Sequence, residues 1–99
     1  FDTSCAVGPW IVPRDQVDFA SLRVRTLVNG TLKQDASVLD MMFPPSAIIA
    51  YVSQFMTLLP GDLIATGTPS GIGPITVGDK VQVQIDGVGK LENVVVASK

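Results

Sequence analysis

Pro60, Gly61, Gly67, Pro69, Gly71, Gly73 and Pro74 crowd into the stretch from Leu59 to Pro74, and the rest of the chain has to be built around it. A short apolar strand near Leu63 and Ile64 runs into a loop in which Gly67, Gly71 and Gly73 can take positive φ or admit a ligand close to the backbone. Pro69 and Pro74 stiffen the path between them. Thr66, Thr68 and Ser70 add hydroxyls which, with exposed amide N–H groups, suit a carboxylate or similar oxyanion. The stretch is not a phosphate loop: no Lys follows the glycines, and the next segment reads as strand, so no helix N-terminus faces a ligand.

The elements on either side follow from periodicity. Residues 1 to 21 are irregular around Gly8-Pro9 and Val12-Pro13, with Trp10 and Ile11 expected to anchor the segment by burial. Leu22 to Val28 alternates as a strand, Asn29-Gly30 is a two-residue hairpin signal, and Thr31 to Asp35 returns. That register sets Leu27 opposite Leu32 and Arg25 opposite Gln34, leaving both faces mixed. Asn29-Gly30-Thr31 also matches a glycosylation sequon, but the turn reading is favoured in the absence of a secretory signal. Ile48, Ile49, Val52, Phe55, Met56 and Leu59 form one stripe of an amphipathic helix over about residues 44 to 58, expected to pack on the sheet with Phe55 in the core. Pro60-Gly61-Asp62 and Val77-Gly78-Asp79 are similar turns, with Asp62 and Asp79 in structural roles. A last hairpin needs an odd-length loop with Gly87 or Gly89 at positive φ, so that Leu91 lies beside Val83 or Ile85. Five or six strands and one helix give a β-rich α+β fold.

Composition narrows the function. The net charge is -2 and the seven basic residues are scattered singly, which argues against nucleic acid as a partner. No run approaches the roughly 18 apolar residues that span a bilayer, so a membrane partner is not expected and a cytoplasmic setting is. His is absent, which removes a Ser-His-Asp triad, a Cys-His pair and His-based metal sites from these residues. Cys5 stands alone and reads as a small buried hydrophobe rather than a nucleophile. Arg23 and Arg25 read as a solvated strand face. The chain opens on Phe1 with no Met or capping signal and reads as a piece of something longer.

The series Phe1-Asp2-Thr3, Gly8-Pro9-Trp10, Val28-Asn29-Gly30 with Gln34, Met41-Met42-Phe43, Tyr51 to Leu58, Pro60-Gly61-Asp62, Thr66 to Pro74, Gly78-Asp79 and Gly87-Val88-Gly89, in this order and spacing, resembles the fumarylacetoacetate hydrolase family. The resemblance covers nearly the whole chain. It implies a mixed β-sheet roll or barrel and an Mg²⁺- or Mn²⁺-dependent site for small 2-oxo or 1,3-dicarbonyl acids, at which a C–C bond is hydrolysed or the acid is decarboxylated or isomerised. The implied common step is an enolate held by the metal. The family's Glu-x-Glu pair, later Asp and Lys belong upstream of the Phe-Asp-Thr element, and Glu92 is the one Glu here. Residues 1 to 99 are therefore expected to be a single partial domain, the C-terminal part of the catalytic domain, inactive alone and homodimeric in the whole protein.

By the same resemblance Thr68 is the substrate-binding threonine, Gly67 leaves room for the substrate carboxylate, and Thr66 assists. Thr3 aligns with a threonine that in some members lies near the metal, and Asp2 beside it is placed to orient a basic group of the upstream part. The competing expectation is a non-catalytic β-rich binding or assembly module, favoured by the missing His and metal ligands.

Overall fold

β1 (Arg23–Val28) and β2 (Thr31–Ser37) form where β-branched and long polar residues alternate, and Asn29-Gly30 joins them with Val28 opposite Thr31 and Leu27 opposite Leu32. The structure, a computed structural model, describes residues 2 to 98. Phe1, the first member of the Phe1-Asp2-Thr3 element, lies outside the described residues. Asn29 takes φ 51, and its side chain is engaged on both sides: Nδ2 donates to Asp79 at 2.8 Å, and Oδ1 accepts from the Lys80 amide at 2.9 Å. That commitment of the amide supports the turn reading over the sequon.

Beyond Leu27 the register departs from expectation. Thr26 lies opposite Gln34 and Arg25 opposite Asp35, because Lys33 is extruded as a β-bulge. The bulge sorts the faces, since directly opposed residues point to the same side. One face carries Arg23, Arg25 and Asp35; the other carries Val24, Thr26, Gln34 and Ala36. Arg23 Nε sits 2.5 Å from Asp35 Oδ1, and Arg25 Nη1 donates to Asp86 Oδ1 at 2.7 Å. The solvated reading of the two arginines holds. Exposed ion pairs of this kind contribute little net stability.

β3 (Lys80–Ile85) and β4 (Gly89–Val94) complete an antiparallel sheet in the order β2-β1-β3-β4. A three-residue loop, Asp86-Gly87-Val88, joins them, with Ile85 opposite Gly89 and Val83 opposite Leu91. The odd loop length keeps Leu91 on the apolar face, as the alternation required. The α+β class stands, with four strands among the described residues rather than five or six. Leu63 and Ile64 are not in a strand: no ladder partner lies beside them, and Leu63 is largely exposed.

The helix is shorter than its stripe suggested. α1 runs Pro45–Val52, started by Pro45 at its first turn. Ser53 Oγ then donates to the Ala50 carbonyl, and the amides of Gln54 and Phe55 donate three residues back, to Tyr51 and Val52. A hydroxyl competing for helix carbonyls and a tightened last turn end the α-helix before residue 58. Phe55 is not in a core: it is 70% exposed, pairs with the Tyr51 ring at 5.1 Å, and stands beside exposed Met56 and Leu59.

No hydrophobic residue among the described ones is fully buried. The apolar sheet face of Val24, Val81, Val83, Ile85 and Leu91 is half-covered, partly by the segment Ala6 to Trp10. Trp10 is 57% exposed, so it does not anchor that segment by burial as expected; it holds it instead by donating its indole N–H to the Val88 carbonyl at 2.6 Å and by lying on Gly89, where a Cβ would come within 2.6 Å of the ring. Ile11 is 82% exposed and anchors nothing. Cys5 is exposed, so the reading as a buried hydrophobe fails.

Candidate functional site

The loop after the helix is held at two Gly-Asp turns built alike. Asp62 Oδ2 accepts from the Leu59 amide at 2.7 Å, and Asp79 Oδ2 from the Thr76 amide at 2.9 Å. Each Asp also donates its own amide to the carbonyl three residues back, which closes the turn. Both carboxylates are thereby occupied in backbone capping. The Thr76 amide first, then the Asn29 side chain, hold the Asp79 carboxyl below its ordinary range.

Between these turns the loop rests on the sheet through Gln34. Gln34 Nε2 donates to Thr68 Oγ1 at 2.7 Å and to the Pro69 carbonyl at 2.7 Å. Gln34 is the one buried residue among those described, and it is polar. The Lys33 bulge turns it to the apolar face, in one row with Thr26, Val83 and Leu91. Gly71 closes the contact, since a Cβ there would run into the Lys33 carbonyl oxygen and meet Gln34 Cγ at 3.2 Å. Simple two-residue hairpin register placed Gln34 elsewhere. The signal available in the sequence was a Thr26-Gln34 pair that would interrupt an otherwise apolar row once the strands were bulged.

Thr66, Gly67 and Thr68 are consecutive and exposed at the rim of this contact. Gly67 holds φ 96 with nothing near the position of a Cβ, so the backbone is open to approach there. Of the hydroxyls of Thr66, Thr68 and Ser70, that of Thr68 has a side-chain partner among the described residues. Asp62 is the one charged residue from Thr57 to Gly78, so an anion at this rim would meet neutral donors. The shifted ionisations lie elsewhere: hydrogen bonding between Arg23 and Asp35 raises the one and lowers the other on the opposite, polar face.

Asp2 and Thr3 occupy an exposed turn at the other end of the chain, with Thr3 at φ 60, an uncommon conformation for a β-branched residue. The side-chain hydrogen bonds of the Thr68 loop run to Gln34 rather than to these two. A cleft of about 290 Å³ beneath the Ala6 to Trp10 segment is lined by apolar groups such as Val83, Ile85 and Leu91, and does not include the Thr68 loop. Among the described residues no three acidic or thiol groups cluster to hold a metal ion. The donors present do not fit Mg²⁺ or Mn²⁺, which take about six oxygen ligands. No helix among them is long and apolar enough to cross a membrane.

Residues 1–96 match the family model described as fumarylacetoacetate (FAA) hydrolase C-terminal. The 4-hydroxyphenylacetate degradation bifunctional isomerase/decarboxylase of Salmonella dublin is 47% identical over 94 residues, taking in 94% of this chain and 22% of that protein. The mitochondrial oxaloacetate tautomerase FAHD2B of Bos taurus is 43% identical over 104 residues, taking in 97% of this chain and 33% of that protein. The crystal structure of maleylpyruvate hydrolase from Sphingobium sp. SYK-6, in complex with manganese(II) and pyruvate, matches with a TM-score of 0.94 at 45% identity, over 100% of this chain and 38% of that one. The chain thus spans less than two fifths of the length of each.

Proposed function

The chain belongs to the fumarylacetoacetate hydrolase family, and from that premise we propose that it forms the substrate-carboxylate side of an enzyme site for a small 2-oxo or 1,3-dicarbonyl acid. The observation that carries the reading is the exposed Thr66-Gly67-Thr68 rim fastened to the sheet at Gln34. A carboxylate seated there would accept from the Thr68 hydroxyl, with Gly67 leaving room beside it and Thr66 flanking. Such neutral donors suit an acid that arrives charged and leaves charged, since they bind it without fixing the rest of the molecule.

Three relatives of similar identity carry three differently named activities: an isomerase/decarboxylase, a tautomerase and a hydrolase. That supports a division of labour in which residues 1 to 99 hold the acid, and groups outside them select hydrolysis, decarboxylation or isomerisation. In this reading the chain is a single partial domain, the C-terminal part of the catalytic domain. Mg²⁺ or Mn²⁺ is held by groups elsewhere in the whole protein, which is a cytoplasmic homodimer. The manganese in the maleylpyruvate hydrolase complex supports the metal. Thr3, held in a strained conformation, and Asp2 are proposed to face that part.

The test uses full-length protein supplied with Mn²⁺. Pyruvate should bind saturably, and at least one 2-oxo or 1,3-dicarbonyl acid from a panel read for C–C hydrolysis, CO₂ release and enol formation should be turned over. A folded protein that binds no pyruvate and transforms no member of the panel would contradict the proposal and favour a non-catalytic module.

A further inference from the structure

Gln34 is the point at which the fold and the Thr68 rim meet. Its side-chain amide has two hydrogens, and the two acceptors facing Nε2 are Thr68 Oγ1 and the Pro69 carbonyl, each at 2.7 Å. A carbonyl oxygen can only accept, so Pro69 fixes which end of the amide points into the loop. With that end settled as the donor, Thr68 Oγ1 must accept. A hydroxyl that accepts from Gln34 keeps its own hydrogen, which is left to donate to a partner other than Gln34.

We infer that Gln34 is a positioning residue for ligand binding: it holds Thr68 as an acceptor on the protein side, so that the Thr68 hydroxyl hydrogen is presented to the carboxylate of the bound acid. The inference rests on the proposed role of Thr68 and adds a second residue, on another element, that acts through it. Burial makes the arrangement durable. Gln34 is only 9% exposed, so water competes poorly for its two hydrogens, and Gly71 presses against the Lys33 bulge that sets its direction.

The experiment measures pyruvate affinity by calorimetry in full-length protein with Mn²⁺. Gln34→Met is introduced into wild type, Thr68→Ser and Thr68→Val. Gln34→Met keeps the length of the side chain and deletes both donors. It should weaken pyruvate roughly tenfold where a hydroxyl remains at position 68, in wild type and in Thr68→Ser. In Thr68→Val the same change should be under about twofold, because nothing is left to orient. An equal loss in Thr68→Val would mean that Gln34 merely stiffens the loop, and would overturn the inference while leaving the role of Thr68 intact. So would an unchanged affinity in Gln34→Met when Thr68→Val is impaired. If Thr68→Val itself binds normally, the proposed site fails and the inference with it. Should Gln34→Met not fold, Gln34→Glu keeps the shape and turns both donors into acceptors. It should weaken pyruvate by more than tenfold, and wild-type affinity in it would overturn the inference.

Discussion

Gly67 and Gly71 provide a paired test of how the loop is seated. Both hold a conformation that costs an L-residue roughly 1 to 2 kcal/mol, with φ 96 at Gly67 and φ 104 at Gly71. They differ in their surroundings. A Cβ at Gly67 meets nothing within 4 Å, whereas one at Gly71 runs into the Lys33 carbonyl of the bulge. Gly67→Ala should therefore cost about 1 to 2 kcal/mol from the backbone alone. Gly71→Ala adds an overpacking penalty of roughly 1 to 3 kcal/mol, for a total of about 2 to 5 kcal/mol. The excess arises because the nearest atom belongs to backbone and cannot rotate away. Urea unfolding of the full-length variants reads the difference directly, at unchanged slope. If Gly71→Ala were as stable as Gly67→Ala, the loop would not lie against the bulge, and the contact that aims Gln34 would be wrong.

The carboxyls of Asp35 and Asp79 lie below their ordinary value of 3.8, the first mainly through the Arg23 hydrogen bond and the second mainly through the Thr76 amide. A depressed folded value means that the stabilisation is complete above about 3.8 and is lost as pH falls through the lower folded value. Asp79→Asn should thus unfold at lower urea than wild type near neutrality, with the gap closing below that pH; a constant gap would refute the assignment. Residues 1 to 99 alone should give no saturable heat with Mn²⁺ at about 1 mM, because a hard cation needs about six oxygen ligands and the described residues cluster none. Tight binding by the isolated chain would show that the metal site is complete within it.

Local chemistry was the most legible part of the sequence. The Asn29-Gly30 turn and the odd Asp86-Gly87-Val88 loop are specified by their own residues, so both hairpins and the Val83-Leu91 pairing follow from spacing. The Gly-Asp turns were equally readable, because Asp62 and Asp79 cap the backbone they belong to. The Lys33 bulge was not, since the contacts that accompany it, Arg25 with Asp35 across the strands and Gly71 from a distant loop, are tertiary and leave no local signal. The helix was overextended because the apolar stripe continues past Ser53, and periodicity does not register a hydroxyl that competes for carbonyls. The same limit hid Gln34. Its place in the family pattern carries no role by itself, and its two hydrogen bonds reach 34 and 35 residues along the chain.

The central claim is that the Thr68 hydroxyl binds the carboxylate of the substrate acid, and Thr68→Val in full-length protein tests it most directly. The substitution keeps the branched shape and removes the hydroxyl alone. One hydrogen bond to a charged group is worth roughly 1.5 to 3 kcal/mol, so pyruvate affinity, and kcat/KM for whichever acid is turned over, should fall about tenfold to hundredfold, while the unfolding midpoint drops modestly because Gln34 Nε2 loses one of its two acceptors. Undiminished pyruvate affinity in a folded Thr68→Val protein would contradict the account, and the rim of the loop would then be structural.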